Sequence, residues 1–171
     1  MPDDVVVRCG LRAGLELDRP VLRSLRRELR HAEAIAVAAR TLRRRDVSTK
    51  RLGERLARAG VPPSARRRTV GALRDARVLD DARVAGSRAR ALAGRGWGNA
   101  PIAARLEAEG IDEDDARRAV GALPPEASRA AEVAARVPDR RKAWMLLARR
   151  GFEESTIEAV VGEWTSGPGA G

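Results

Sequence analysis

The feature that most constrains the fold of this chain is an internal repeat. A shift of 50 positions superimposes apolar residues and glycines on residues of the same kind: Leu52 on Ile102, Leu56 on Leu106, and Gly60 on Gly110. A further shift of 41 positions brings Gly110 onto Gly151 and Ile111 onto Phe152. Self-similarity at such a period is typical of arrays of small stacked units. The sequence therefore predicts an all-α protein, an elongated array of three tandem three-helix repeats.

Helix-start signals recur along the chain at positions that fit this arrangement. Asp18, then Ser48 or Thr49, stand where a side-chain oxygen can cap the first turn of a helix. Asn99 stands in the corresponding place in the second repeat, just after the Gly96-Trp97-Gly98 turn, and is predicted to cap the helix that follows. These signals indicate helices throughout the repeats.

The spacing of apolar residues predicts which helix faces are buried. Ile35, Ala39 and Leu42 recur at i, i+4 and i+7, which indicates the core face of the first long helix. Val5-Val6-Val7, near the amino terminus, is interpreted as a remnant strand or an extended lead-in. Gly60 is predicted to end its helix in the left-handed conformation, and Gly110 is predicted to end the corresponding helix of the second repeat.

The predicted organisation has five segments. They are residues 1–30 as a lead-in with a short helix, 31–78 as a basic first repeat, 79–124 as the second repeat, 125–165 as the third, and 166–171 as a disordered tail. Trp144 and Trp164 fall at helical core spacing in the third repeat.

Composition narrows the fold class and the expected compartment. Aromatic residues are 2% of the chain and 32 of its 171 residues are alanine, so thin helix–helix seams are expected rather than a strand-rich fold. No apolar run approaches the roughly 20 residues that cross a bilayer, and no secretory leader opens the chain. With a single cysteine no internal disulfide can form. A cytoplasmic protein is expected.

The positive charge is concentrated in the first half of the chain. The formal net charge is +10, and residues 1–78 hold 20 Lys/Arg against 9 Asp/Glu. The remainder is close to neutral, so a bias toward arginine in the composition does not explain the distribution. A basic half of this kind predicts a polyanionic partner, either nucleic acid or an acidic protein groove.

Nine arginines are the candidate contacts with a filament or with DNA. They fall at helical spacings in the first repeat and at the start of the second: Arg51, Arg55, Arg58, Arg67, Arg74, Arg83, Arg88, Arg90 and Arg95. Further arginines, Arg43-Arg44-Arg45, crowd the turn before the second helix. The planar guanidinium suits phosphate because it donates at two points.

No residue constellation indicates catalysis. Cys9 and His31 are each isolated, and the acidic run Asp112 to Asp115 lacks the alternating spacing of a calcium loop. No phosphate-binding glycine-rich loop of the Gly-x-x-x-x-Gly-Lys-Ser/Thr type is present. The sequence therefore predicts a protein that is not an enzyme, with no cofactor and no metal.

Trp97, between two glycines, is interpreted as core packing, with base stacking as the alternative.

Most of the chain resembles the RecX family of bacterial regulators of the RecA recombinase. The resemblance covers roughly residues 10–164. Its most specific part is in the second repeat: Leu79-Asp80-Asp81-Ala82-Arg83-Val84-Ala85, Ser87-Arg88, Arg95-Gly96-Trp97-Gly98, Ile102, Leu106 and Gly110-Ile111.

This resemblance implies a modular helical protein that binds the RecA–single-stranded DNA filament. It implies a monomer that lies along the filament groove and inhibits ATP hydrolysis and strand exchange in recombinational DNA repair, with single-stranded DNA touched directly or through RecA. Two positions depart from the family pattern. Val84 replaces the usual aromatic residue, and Asn99-Ala100-Pro101 stands where basic residues often follow the turn.

Two other functions remain compatible with these residues. An autonomous helical nucleic-acid-binding module would bind duplex DNA without RecA, since each three-helix unit suits that role. A structural adaptor would dock its basic half on an acidic protein and show no dependence on DNA. Filament regulation is the preferred interpretation.

Overall fold

The computed structural model describes residues 3–12, 14–16 and 18–162, and over these residues the protein is all-helical, as predicted. The ten helices of this part of the chain are α1 (Asp3–Arg8), α2 (Arg19–Leu42), α3 (Thr49–Arg58), α4 (Pro63–Asp75), α5 (Asp81–Gly94), α6 (Asn99–Ala108), α7 (Glu113–Gly121), α8 (Glu126–Ala134), α9 (Arg140–Arg149) and α10 (Glu154–Val161). None of the described helices is long and apolar enough to cross a membrane.

The chain divides into two compact units, unit 1 (Met1–Asp81) and unit 2 (Ala82–Gly171). Unit 1 has one apolar core, to which α2, α3 and α4 contribute. Leu52 and Leu56, the residues predicted to face this core from α3, are both fully buried. The single continuous helix α2 passes through residue 30, where the first predicted segment boundary lies.

The buried face of α2 differs from the predicted face. Ala34 and Ala38 are fully buried, whereas Ile35 is 38% exposed and Ala39 is exposed, so the prediction of an Ile35–Ala39 core face is wrong. The core face is displaced by one residue, about 100° around the helix. It includes two polar groups, Glu28 and His31, which an apolar pattern does not detect.

The amino-terminal valines form a helix rather than a strand. Val5 is buried in α1, which packs on α2, while Val7 on the opposite side is 80% exposed. β-Branched residues lower helix propensity only by tenths of a kcal/mol, so the burial of Val5 outweighs that preference. The interpretation of Val5-Val6-Val7 as a strand or extended segment is therefore wrong.

Three predicted helix starts can be compared with the structure. The side chains of Asp18 and Ser48 accept hydrogen bonds from backbone N–H groups three residues on, at 2.8 and 3.3 Å, which confirms both caps. The predicted cap at Asn99 is wrong. Gly98 is the N-cap of α6, and Asn99 is its first residue, whose side-chain oxygen accepts from the guanidinium of Arg129 instead.

Each three-helix group places a left-handed glycine between its second and third helices. These glycines have φ angles of 75°, 82° and 69°, and each is followed by a buried apolar residue: Gly60 and Val61, Gly110 and Ile111, Gly151 and Phe152. The positive φ confirms the prediction for Gly60, because side-chain-bearing residues avoid this region.

Unit 2 contains two apolar cores, one built from α5–α7 and one from α8–α10. Ile102 and Leu106 are buried in the first, and Leu147 in the second, at the positions that the repeat predicts. Trp144 packs partly buried against the second core. Trp164 and the predicted tail 166–171 lie outside the described residues.

A set of hydrogen bonds and close contacts links these two cores, and we call it the joint. Its members are Gly96, Trp97, Gly98, Asn99, Pro124, Glu126, Arg129, Arg150 and Gly151. Arg129 is 6% exposed and donates to the carbonyl oxygens of Trp97 (2.8 Å) and Pro124 (3.1 Å). The Gly98 N–H donates to the carbonyl oxygen of Arg150 at 2.9 Å.

The joint leaves no space for a side chain at its centre. A Cβ at Gly98 would overlap the carbonyl oxygen of Gly151 and lie 2.6 Å from the Phe152 nitrogen. A Cβ at Gly151 would lie 2.7 Å from the Pro101 ring. The backbones of the two cores therefore touch directly, and only glycine permits that approach.

Candidate functional site

The most strongly charged feature of unit 1 is a groove between the end of α2 and the end of α3. Its volume is about 630 Å³. We call it the arginine groove, and it is lined by Val37, Arg40, Thr41, Arg44, Arg45, Arg55, Arg58 and Ala59. Five of these eight residues are arginines, and none is acidic.

Four of the groove arginines have no carboxylate partner among the described residues. Arg40, Arg44, Arg45 and Arg55 are exposed and form no ion pair within the part of the chain that the structure describes. The fifth, Arg58, contacts the Glu54 carboxylate at 3.4 Å. Clustered cations that form no ion pair within the protein raise the local concentration of anions.

Helix dipoles explain how these arginines can lie together in the free protein. Arg40 is in the last turn of α2, and Arg55 and Arg58 are in the last turn of α3. The carboxyl end of a helix carries a partial negative charge, which is worth about 0.3–1 kcal/mol to a nearby cation. The cluster is thus tolerated without acidic side chains.

The apolar part of the groove is small and contains no aromatic ring. Val37 and Ala59 form that part, and the Thr41 hydroxyl donates to the Val37 carbonyl at 3.0 Å, so this hydroxyl is already used. Nothing in the lining offers a stacking surface for a base. The groove can therefore bind charge but has few means of distinguishing bases.

The structure separates the α3 arginines that were predicted as one stripe. All three are exposed on α3, but Arg51 does not line the groove, whereas Arg55 and Arg58 do. Arg51 and Arg58 both contact Glu54 at 3.4 Å. Within this stripe, Arg55 is the most available for an outside partner.

The two predicted arginines of α4 lie apart from the groove. Arg67 and Arg74 are exposed and have no ion-pair partner among the described residues, but neither lines the groove. They form a second basic area of unit 1.

The remaining four predicted arginines belong to unit 2, on α5 or just after it. Arg88 is half-buried and pairs with Glu109 at 3.5 Å, while Arg83, Arg90 and Arg95 are exposed. The backbone oxygen of Arg95 accepts from the Arg150 guanidinium. The charge of Arg88 is therefore partly neutralised within the protein.

Three groove arginines were not among the nine candidates. Arg44 and Arg45 were recognised only as part of a crowded turn, and Arg40 was not identified. The spacing of four between Arg40 and Arg44 is that of neighbours on a helix face, but α2 ends at Leu42 and Arg44 lies in the turn that follows, so this spacing does not by itself identify Arg40. The contribution of α3 to the same groove requires the tertiary structure.

Trp97 packs against the α5–α7 core and is partly buried, as its core interpretation predicts. The guanidinium of Arg105 lies 4.4 Å from the centre of its ring. That distance is within the range of a cation–π interaction, so one face of the indole is already covered.

A buried polar network lies beneath the surface of unit 1. Arg68 donates to both oxygens of the Glu28 carboxylate, at 2.7 and 3.4 Å, and His31 Nδ1 lies 3.0 Å from the Thr69 hydroxyl oxygen. The hydrogen bond from Arg68 lowers the pKa of Glu28 below its ordinary value. His31 is thus a structural residue that ties α2 to α4.

One arginine of the joint has a pKa shifted by its surroundings. Burial lowers the pKa of Arg129, with the Glu126 carboxylate acting in the opposite direction. Its donors meet backbone carbonyls and the Asn99 side chain, so it serves the fold rather than an outside ligand.

Across the described residues, no group of three or more His, Cys, Asp or Glu is placed to hold a metal ion.

Fold and surface together define a class of protein: an all-helical chain of small consecutive cores that carries a basic groove. Comparison with known proteins finds relatives that share this class. "Regulatory protein RecX" of Xanthomonas axonopodis pv. citri is 35% identical over 127 residues, covering 68% of this chain and 78% of the relative. The protein of the same name from Chromohalobacter salexigens is 35% identical over 137 residues, covering 74% and 90%.

Two solved structures have the same fold. One, described as regulatory protein RecX, superimposes with a TM-score of 0.79 over 95% of this chain and 87% of its own, at 23% identity. RecX from Lactobacillus salivarius gives 0.71 over 77% and 94%, at 17% identity. No family model matches the sequence. The chain belongs to the RecX family of regulatory proteins, which confirms the resemblance.

Proposed function

We propose that this protein binds the RecA–single-stranded DNA filament and inhibits RecA ATP hydrolysis and strand exchange during recombinational DNA repair, acting as a monomer in the cytoplasm. The observation that carries the proposal is the 35% identity to proteins named as RecX regulators over most of the chain. RecX family membership implies RecA as the partner.

The charge distribution supports this proposal. Unit 1 presents exposed arginines, several with no internal carboxylate partner, on α2, α3 and α4. A filament offers two anionic surfaces, DNA phosphates and acidic side chains of the recombinase, and either would be attracted to this surface. The nine predicted contacts remain Arg51, Arg55, Arg58, Arg67, Arg74, Arg83, Arg88, Arg90 and Arg95. Arg51, Arg58 and Arg88 are expected to contribute less than their exposure suggests, because Glu54 pairs with the first two and Glu109 with the third.

An autonomous nucleic-acid-binding module is the second candidate function. The arginine groove favours it, because these arginines could attract DNA without RecA. In that case RecA would be affected only through competition for DNA. The two functions therefore predict inhibition of RecA at different ratios of this protein to RecA.

The test is a titration of RecA ATP hydrolysis on single-stranded DNA with this protein, at ratios well below one molecule per RecA. Filament binding predicts strong inhibition at these ratios, because one bound molecule affects many protomers. A DNA competitor must coat the lattice, and so inhibits only near saturation. Absence of inhibition at any ratio, with the protein folded by circular dichroism, would refute the proposed function.

A control separates the two candidates further. The same titration is repeated with the DNA in large excess over RecA, so that free DNA absorbs any protein that binds only DNA. Filament binding predicts that part of the inhibition persists, because contacts with RecA still favour the filament over free DNA, whereas competition for DNA alone predicts its loss.

A further inference from the structure

The arginine groove has a shape and a charge that together indicate its ligand. Its opposite walls come from the last turns of α2 and α3, and arginines stand on both. A volume of about 630 Å³ lies within the range of sites that enclose a small molecule or a short chain segment. In a duplex the two backbones are separated by grooves about 12 and 6 Å wide, so a site of this size would hold the backbone of one strand.

The chemistry of the walls favours a run of phosphates. Four arginines with no internal carboxylate partner, Arg40, Arg44, Arg45 and Arg55, can each donate two parallel hydrogen bonds to a phosphate. A nucleic-acid strand carries one charge on every residue, so a short segment supplies several charges to one cluster.

The lining also indicates what is not recognised. It contains no aromatic ring for stacking and no Asn or Gln for reading base edges. The Thr41 hydroxyl is bonded to the helix backbone. Arginine can also pair with the edge of guanine, but the phosphates carry the negative charge of the strand, so a strand bound here would be held chiefly through its backbone.

We infer that the arginine groove holds the backbone phosphates of a single nucleic-acid strand without reading its bases. The inference deepens the proposed function, on which it rests for the presence of single-stranded DNA near unit 1. It locates the DNA contact in four arginines, of which only Arg55 was among the predicted contacts. Arg51, Arg67 and Arg74 lie outside this groove.

The experiment measures binding of a fluorescent oligothymidylate to the full chain by anisotropy, with no RecA present. The test variant carries Arg40→Gln, Arg44→Gln, Arg45→Gln and Arg55→Gln. The matched control removes the same charge from exposed arginines of unit 1 outside the groove, through Arg12→Gln, Arg19→Gln, Arg23→Gln and Arg26→Gln. We expect the groove variant to bind at least about tenfold more weakly than wild type and the control to change less than about threefold. Equal losses would overturn the inference, since net charge alone would then explain binding.

A double variant, Arg44→Gln with Arg55→Gln, covers the case in which four substitutions disturb folding. Circular dichroism reports whether each variant keeps its helices. The double variant is expected to lose several-fold in affinity, and unchanged affinity in a folded double variant would contradict the inference.

Competitors identify the ligand chemistry. Inorganic tripolyphosphate is expected to displace the oligonucleotide, and oligoadenylate or an abasic oligomer is expected to bind as well as oligothymidylate. If polyglutamate competes as well as tripolyphosphate at equal charge, the site is a general acidic docking surface and the inference fails. Preference for duplex over single strand would also overturn it.

RecA is absent from these measurements, so their failure is distinguishable from failure of the proposed function. A protein that inhibits the RecA ATPase at low ratios but shows no groove-dependent oligonucleotide binding retains the proposed function and loses this inference. The reverse result retains the groove and refutes filament regulation.

Discussion

The arginine groove of unit 1 and the joint of unit 2 use the same residue type in opposite ways. In the groove, Arg40 and Arg44 are exposed at a helix end and have no carboxylate partner within the described residues. In the joint, Arg129 is buried and its donors are satisfied by carbonyl oxygens of its own unit. The supply of internal acceptors decides whether an arginine is structural or available for a partner. Net charge does not reveal this difference.

The largest expected effect comes from adding a methyl group at the centre of the joint, where there is no room for one. Gly98→Ala would push a methyl group into the Gly151 carbonyl, and backbone atoms cannot move aside cheaply. We expect a loss of about 3 kcal/mol or more in the free energy of unfolding of unit 2. All three tryptophans lie in unit 2, so urea unfolding followed by tryptophan fluorescence reports this unit alone.

The control for this variant is Gly94→Ala, which has no atom within 4 Å of the added carbon. Its stability should be equal to or slightly above wild type, because alanine favours helix more than glycine does. A Gly98→Ala variant as stable as Gly94→Ala would show that the two cores are not in the direct contact described.

A smaller loss is expected when the central side chain of the joint is removed. Arg129→Ala leaves the carbonyls of Trp97 and Pro124 without their donor, at a cost of about 2–4 kcal/mol. Tryptophan fluorescence should show a lower urea midpoint, while oligonucleotide affinity stays at the wild-type value. Arg117→Ala, which removes only exposed ion pairs, should leave the midpoint unchanged. Loss of DNA binding by a folded Arg129→Ala protein would contradict the assignment of this arginine to the fold.

Unit 1 has its own acid-sensitive contact. The pKa of Glu28 is lowered by Arg68, so the stabilisation is complete above the ordinary carboxyl pKa and is lost as pH falls through the folded value. Glu28→Gln should cost about 1 kcal/mol at neutral pH, a modest figure because Arg68 is 44% exposed. Unfolding followed by far-ultraviolet circular dichroism, compared with tryptophan fluorescence, isolates the unit 1 transition. Near pH 3 the difference between variant and wild type should shrink, and a constant difference at all pH values would argue against this ion pair.

The smallest predicted effect tests whether Arg58 also contributes to binding in the groove. Glu54→Gln removes the carboxylate that contacts Arg58, so a fifth groove arginine loses its neutralising partner. We expect oligonucleotide affinity to rise by about twofold, as suits a surface ion pair. Glu33→Gln, which removes an exposed carboxylate paired with Arg30, provides the control and should have less effect. Equal gains from both variants would indicate a general charge effect.

Local signals predicted much of the fold because the repeat depends on interactions between residues that are close in the sequence. The caps at Asp18 and Ser48 and the left-handed Gly60 depend on neighbours within a few residues. The same reasoning failed at Asn99, because its side chain bonds to Arg129, 30 residues away in the sequence. It also failed for the α2 core face, where Glu28 and His31 are buried through pairing with α4.

The candidate site was predictable only in part. Charge counting located the basic half, and helical spacing identified Arg55 and Arg58. Arg40 was missed because the groove arises where α2 ends beside α3, a tertiary arrangement that spacing within one helix does not specify. Spacing also gave no indication that Arg51 and Arg58 share Glu54 or that Arg88 pairs with Glu109.

The most direct test of the central claim is the salt dependence of oligonucleotide binding by the wild-type protein and by the groove variant. Four phosphate contacts predict a slope of about −3 in a plot of log affinity against log salt concentration, at about −0.7 for each contact with a single strand. The variant lacking Arg40, Arg44, Arg45 and Arg55 should show a slope close to zero. A slope of similar steepness in both proteins would contradict the account, because the DNA contacts would then lie outside the groove.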